Sequence, residues 1–296
     1  MAMLLAALAA TIAATLLWQQ QRWIGEHAHR RDQVQAQALA MAGVQWARQI
    51  VFENAPAGAV VHLGQPWALK LPAMPIENGS IGGYVTDAQG RININNLAAT
   101  GAVPIAARAP LSMLFTELAL PAALLDAIGD WVDTDAQMTG SSGAEDAWYL
   151  AQDPPGLAAN SPVRRVAELM AVRGADTVLI SRLRGFVGAI DAPAAVNVNT
   201  APAEVLRALL PGTDANAVAK LVASREQTPF SSVPEFKSRL PRPEPVVDET
   251  LLSVKSDWFE ISIEARQGDT LARARALLKR SSAGSDWPIV VWQTVE

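Results

Sequence analysis

The sequence predicts an α+β protein whose small antiparallel sheet is interrupted by a large all-α block. Three observations predict it. An apolar start runs without a break into an amphipathic helix; strand-like segments stand near residues 80–94 and again at 258–292; and an Ala/Leu-rich pattern of helical period fills the space between them. Strands on both sides of a helical block point to one α+β domain with a helical domain inserted between strands of its sheet.

Residues 1–17 are apolar apart from Thr11 and Thr15, the first charge is Arg22, and Trp18 and Trp23 follow where interfacial aromatics belong. A run of this length is near the lower limit for a membrane-spanning helix. A secretory signal peptide is the alternative, but a basic n-region and a small-residue cleavage site are not evident. The helical pattern continues through Leu39, Ala42, Trp46 and Ile50, so one helix of roughly 50 residues is expected, ending near Asn54-Ala55-Pro56. Arg22, Arg30 and Arg31 lie after the apolar run and nothing basic precedes it. Taken alone, this charge bias would leave the body in the cytoplasm, whereas a basic leader already removed would reverse the orientation.

Segments 80–86 and 91–94 read as strands flanking the turn Asp87-Ala88-Gln89-Gly90. Near the C-terminus, Gln267-Gly268-Asp269 reads as a hairpin turn between strands at 258–264 and 270–278, and Ile289-Val290-Val291-Trp292 reads as a last strand. The helical block carries a weak internal repeat. Ile92-Asn93-Ile94-Asn95-Asn96 resembles Val196-Asn197-Val198-Asn199-Thr200, and Ser161-Pro162-Val163 resembles Thr228-Pro229-Phe230. Ser161 and Thr200 are expected to cap helices with Pro162 and Pro202 in the first turn, and Ser232 with Glu235 reads as a capping box. The first copy is the longer one because an acidic, Gly-rich loop lies inside it.

With 296 residues, half of them hydrophobic, the chain can bury a core, and its net charge of −5 argues against a general nucleic-acid binder. The absence of cysteine excludes disulfides, thiolate metal sites and cysteine nucleophiles. The three histidines do not form a ligand set, since His27 and His29 fall on nearly opposite faces of the helix. No zinc-protease helix, nucleophile elbow or phosphate loop is present.

Two segments carry candidate chemistry. The first is the loop Asp133-Thr134-Asp135-Ala136-Gln137 followed by Gly140-Ser141-Ser142-Gly143-Ala144-Glu145-Asp146. Hard oxygen ligands on a flexible loop suit Ca²⁺. Met138 stands where an EF-hand needs glycine, so this is not an EF-hand. A solvated acidic turn is the plainer alternative. The second segment, 196–240, has the order of a helix-hairpin-helix module. Its hairpin, Pro211-Gly212-Thr213-Asp214, keeps one glycine and adds an acid that a phosphate would repel. A helical scaffold without nucleic acid is the reading preferred here, and a membrane-tethered DNA-binding protein is the alternative function.

Taken together, several stretches resemble the K-type minor pseudopilins of type II secretion. They are Leu63-Gly64-Gln65-Pro66-Trp67, Asp87-Ala88-Gln89-Gly90-Arg91-Ile92-Asn93-Ile94-Asn95-Asn96-Leu97, Asp130-Trp131-Val132-Asp133-Thr134-Asp135, Gly143-Ala144-Glu145-Asp146-Ala147-Trp148-Tyr149-Leu150 and Val196-Asn197-Val198-Asn199-Thr200-Ala201-Pro202. The resemblance implies a pilin-like fold and a division into a transmembrane part (1–22), a first pilin-like part (23–96), an inserted helical domain (97–252) and C-terminal strands (253–296). It implies a non-enzymatic subunit at the tip of the pseudopilus that helps to start assembly. The body would lie in the periplasm and the anchor in the inner membrane. The I-type and J-type minor pseudopilins, other pseudopilins, the assembly platform and the prepilin peptidase would be its partners, and nucleic acid would not. Met1 would be the methylated first residue of the processed chain. Leu5 stands at the position where most pseudopilins, though not the K type, have glutamate. Calcium is implied for the acidic loop, with Asp133, Asp135, Glu145 and Asp146 as its expected ligands.

Overall fold

The computed structural model describes residues 1–54, 58–98, 104–241, 247–280 and 287–296. Helix α1 (Ala2–Asn54) is continuous, and residues 1–27 are exposed along their whole length. Further along, Ala36, Ala40, Gly43, Val44, Ala47 and Val51 recur at helical spacing and are buried against the sheet. Small residues let the helix approach closely. A Cβ on Gly43 would lie 2.8 Å from Ile263 Cγ2 and 3.1 Å from Ile81 Cδ1.

Strands β1 (Leu71–Ile76) and β2 (Gly79–Asp87) form a hairpin, after which the chain leaves the sheet. The excursion contains β3 (Ile92–Asn93), α2 (Pro104–Glu117), α3 (Ala122–Val132), α4 (Asp146–Leu150), α5 (Thr177–Leu183), β4 (Val187–Gly188), β5 (Val196–Asn197), α6 (Ala203–Leu209), α7 (Ala215–Gln227), α8 (Val233–Ser238) and β6 (Leu252–Ser253). The chain then returns through β7 (Trp258–Gln267), β8 (Thr270–Lys279) and β9 (Ile289–Val295). The five-stranded sheet has the order β1-β2-β7-β8-β9, antiparallel throughout, so the strands on either side of the excursion pair directly, with Asp87 opposite Phe259. The β7–β8 turn is the expected one: Gln267 pairs with Thr270 across Gly268-Asp269.

Two large cores result. One lies between α1 and the sheet, around Val44, Val51, Phe259, Ile261 and Leu278; the other lies within the insertion, around Leu111, Leu114, Phe115, Ile128, Leu206 and Phe230. Ile92, Ile94, Leu252 and Val254 belong to the second core, which therefore extends past 97–252 on both sides. The insertion sits at the end of the sheet remote from the apolar start of α1. At the near end, a Cβ on Gly268 would meet Asp32 Oδ2 at 2.6 Å. At the far end, Phe259 packs with Val51 and Val61, and Asn197 donates to the Val61 carbonyl at 3.0 Å.

Three local expectations are corrected. Residues 91–94 do not pair back on β2. Only Ile92–Asn93 is strand, parallel to β4, because Asp87 and Asn93 each bend the chain into a short 3-10 turn by accepting the N–H two residues on. Ser161 starts no helix: the turn that follows it spans Val166–Ala171 with Arg165 before it and no side-chain cap. Thr200 does not cap α6, whose N-cap is Pro202; its hydroxyl instead donates to Asp87 Oδ2 at 2.7 Å. Ser232 does cap α8, accepting the Glu235 N–H, while the Glu235 carboxylate takes the Ser231 N–H at 2.8 Å.

The repeat is structural. Asn95 grips the backbone of Val163, accepting its N–H at 2.9 Å and donating to its carbonyl at 2.8 Å; Asn199 grips Phe230 in the same way at 2.8 and 2.9 Å. In each copy the preceding asparagine ends a two-residue strand that pairs in parallel with a later segment of its own copy. The buried Asp87 carboxylate joins the second copy to the sheet. It accepts from Gln89 N, Asn197 Nδ2, Thr200 Oγ1 and Ser256 Oγ, and burial raises its pKa despite those donors.

Candidate metal centre

Helix α3 ends at Val132, and its last turn sets Asp130 and Asp133 three residues apart on one side. The chain then loops out and returns at Glu145, the residue before α4. Asp133, Asp135 and Glu145 each offer an oxygen within 4.8 Å of the others. Among the described residues, this is the group of carboxylates that converges in this way. Asp146 does not join it: its Oδ1 accepts the Ala158 N–H at 2.9 Å and ties the loop down on its other side.

Asp130 is the residue that the sequence reading missed. It is fully buried beneath the cluster, with Oδ1 accepting the Thr139 N–H at 2.9 Å and Oδ2 without a partner. Its signal was present in the i, i+3 spacing to Asp133. Gly143 is required here, because a Cβ would stand 2.0 Å from Asp130 Oδ2. Arg173 supports the wall by donating to the Gly143 carbonyl at 3.0 Å and lying over the Trp148 ring.

Both Glu145 oxygens, Asp133 Oδ1 and Asp130 Oδ2 are buried without a hydrogen-bond donor. Such groups are costly unless something cationic satisfies them. Burial, and then the charges of Asp135 and Asp130, push the Asp133 carboxyl up to about 6. Burial, and then Asp130, Asp133, Asp135 and Asp146, push Glu145 up to about 7. Unpaired anionic oxygens with no nitrogen or sulfur donor fit a hard divalent cation. Met1 and Leu5 are far from this chemistry, in the exposed apolar start of α1.

The helix-hairpin-helix-like segment offers no comparable site. Asp214 caps α7, accepting the Ala217 N–H at 2.8 Å where a phosphate would have to bind. Arg225 is buried and donates to the Val198 carbonyl at 2.6 Å.

A long apolar helix packed on an antiparallel sheet, interrupted by a helical insertion, defines a pilin-like subunit with an elaborated head. Two family profiles, both described as type II secretion system (T2SS), protein K, match residues 90–192 and 196–255, one for each copy of the repeat. The chain is 34% identical to type II secretion system protein K of Aeromonas hydrophila over 75% of this chain and 73% of that protein. It is 31% identical to the Klebsiella pneumoniae protein K over 95% of this chain and 90% of that one. A chain in the crystal structure of the GspK-GspI-GspJ complex from enterotoxigenic Escherichia coli superposes with a TM-score of 0.79 at 25% identity, covering 92% of this chain and 99% of that one. The chain therefore belongs to the type II secretion system protein K family. The DNA-binding alternative finds no support in these relatives.

Proposed function

We propose that the chain caps the pseudopilus as a single, non-enzymatic tip subunit and helps to start its assembly. Its body lies in the periplasm and α1 is anchored in the inner membrane. The I-type and J-type minor pseudopilins are its direct partners, as the composition of the similar complex supports. One observation carries the tip placement: the insertion, with a core of its own, stands on the end of the sheet remote from the apolar start of α1. A pilin-type fibre repeats an open, heterologous contact, and each subunit within it must present a free upper surface to the next. A head of this size occupies that surface. A label placed in the insertion of the full-length chain, in cells assembling pseudopili, should appear once per fibre, at its end; regular spacing along the shaft would refute the placement.

The acidic loop is read as a Ca²⁺ site held by Asp133, Asp135 and Glu145 over the buried Asp130. Bound there, the ion would supply positive charge and cross-link the end of α3 to the start of α4. The residues themselves do the positioning: Asp130 fixes Thr139, Asp146 fixes Ala158, and Arg173 holds Gly143.

A further inference from the structure

The two edges of the five-stranded sheet are built differently. Edge strand β1 carries Pro72 and Pro75, which remove ladder donors and discourage pairing. Edge strand β9 reads Ile-Val-Val-Trp-Gln-Thr-Val, with no proline and no charge. Arg273 and Glu296 exchange two backbone hydrogen bonds of 2.8 and 2.9 Å, so the antiparallel alternation turns the N–H and C=O of Gln293 and Val295 away from β8. Among the described residues nothing pairs with that edge. A bulge leaves Val291 without a cross-strand partner, and Val291 and Ile289 are exposed.

This edge continues into an outer face of α1 that is equally free of charge. Between Asp32 and Arg48 the helix has no charged residue, although Val34, Met41 and Trp46 are exposed. Trp287, just before β9, stacks on Phe52 at 5.0 Å, and Arg48 donates to the Pro288 carbonyl at 2.6 Å. Gln45, Trp46, Arg48, Gln49 and Trp287 line a groove of about 640 Å³ between the helix and the segment that leads into β9, with Arg48 as its one charged lining residue.

We infer that β9 and the adjoining outer face of α1 form the docking surface for another pilin-type subunit, one edge strand of which extends the sheet beyond β9. The inference rests on the reading that minor pseudopilins are the partners, and it names where one of them binds. Geometry selects this occupant. A second copy pairing β9 with β9 would need a two-fold axis perpendicular to the sheet. That axis would reverse α1 and send the two apolar starts in opposite directions, which one membrane does not permit. A soluble strand could extend the sheet but would have nothing to place against the neutral face of α1. A subunit with its own anchored helix, running parallel to α1, satisfies both surfaces.

The test uses the full-length chain co-expressed in membranes with the I-type and J-type minor pseudopilins, and reads the amount of each that co-purifies. V291K places a charge on the β9 edge, and M74K does the same on β1, where Met74 is also exposed. The expected result is that V291K retains less than a tenth of at least one partner while M74K retains the wild-type amount, both variants keeping the wild-type melting temperature. Equal retention by V291K and wild type would overturn the docking surface and leave the partner reading intact. A wild-type chain that retains neither partner would overturn both. Because the chain has no cysteine, V291C supplies a unique thiol. Its cross-linking to a cysteine on the edge strand of a partner supports the inference, and cross-linking only to a second copy of the chain contradicts it.

Discussion

The two copies of the repeat share a clamp and differ in what surrounds it. In the first, Asn93 bonds inside the insertion, to the Ile190 and Ala192 carbonyls at 3.0 and 2.8 Å; in the second, Asn197 reaches outward to the Val61 carbonyl, Asp87 and Ser256. Between Asn95 and Val163 the first copy houses the acidic loop, whereas between Asn199 and Phe230 the second has the short hairpin at Gly212. The second copy is fastened to the sheet through its leading asparagine, whereas the first meets the sheet through Arg91, paired with Glu260, and Ile190, packed with Trp258, and carries the site in its intervening loop. A duplicated scaffold can divide labour in this way because the clamp fixes its two ends and is indifferent to the length of chain between them.

The clamp itself is where the copies should behave alike. Asn95 and Asn199 are both buried, and each satisfies an N–H and a C=O of a distant backbone. Replacing either by alanine strands both groups, at about 2–4 kcal/mol. N95A and N199A are therefore expected to lower the denaturant midpoint of the intact chain by similar, large amounts. A loss confined to N199A would show that only the second copy depends on its clamp.

The acidic loop is where the copies should diverge. Ca²⁺ at about a hundred times its dissociation constant stabilises a site that exists only in the folded state by about 2.7 kcal/mol. E145Q should remove most of that gain, and chelator should return the wild type to its baseline. The pH dependence in chelator is distinctive. Asp133 and Glu145 have folded-state pKa values raised to about 6 and about 7, so the folded state binds more protons than the unfolded chain between their ordinary values and these. Stability in chelator should thus fall as pH rises from about 4 to 7, by at most about 1.4 kcal/mol per unit of raised pKa. E145Q should remove about half of this slope, the part that Glu145 carries, and Ca²⁺ should offset it. Melts across pH with Ca²⁺ or chelator check all three, and a wild-type slope unaffected by E145Q would remove Glu145 from the site.

Much of this was legible in the residues. Helix α1, the β7–β8 hairpin and the bracketing of a helical block by strands follow from long, periodic signals, and the acidic loop announced itself by composition. What was not legible depends on contacts distant in sequence. Nothing in Arg91-Ile92-Asn93-Ile94 says that its strand partner lies near Val187, so a local hairpin was the simpler expectation. Asp130 reads as a polar face of α3 until the return of Gly143 encloses it. Asp146 looked like a ligand because it adjoins Glu145, but the turn into α4 directs neighbouring side chains apart, and it bonds the Ala158 N–H instead.

The smallest effect separates the two serines that read as helix caps, Ser161 and Ser232, which are not equivalent positions: Ser161 aligns with Thr228, and Arg165 stands where the second copy has Ser232. Ser161-Pro162-Val163 and Ser231-Ser232-Val233 both read as helix starts, yet only the second is one. Ser232 accepts the Glu235 N–H at 3.2 Å, and Pro234 lies in the first turn, where its missing donor costs nothing. Ser161 precedes a 3-10 turn whose first residues have no side-chain cap. What holds this segment is the Asn95 grip on Val163, which uses none of the serine's atoms. Replacing an N-cap serine by alanine costs about 1 kcal/mol, whereas exposed positions away from such features usually change stability by less than about 0.5 kcal/mol. S232A should therefore lower the denaturant midpoint measurably and S161A should not. Equal losses would mean that the first copy relies on a serine cap after all and that the two copies are closer in construction than their contacts indicate.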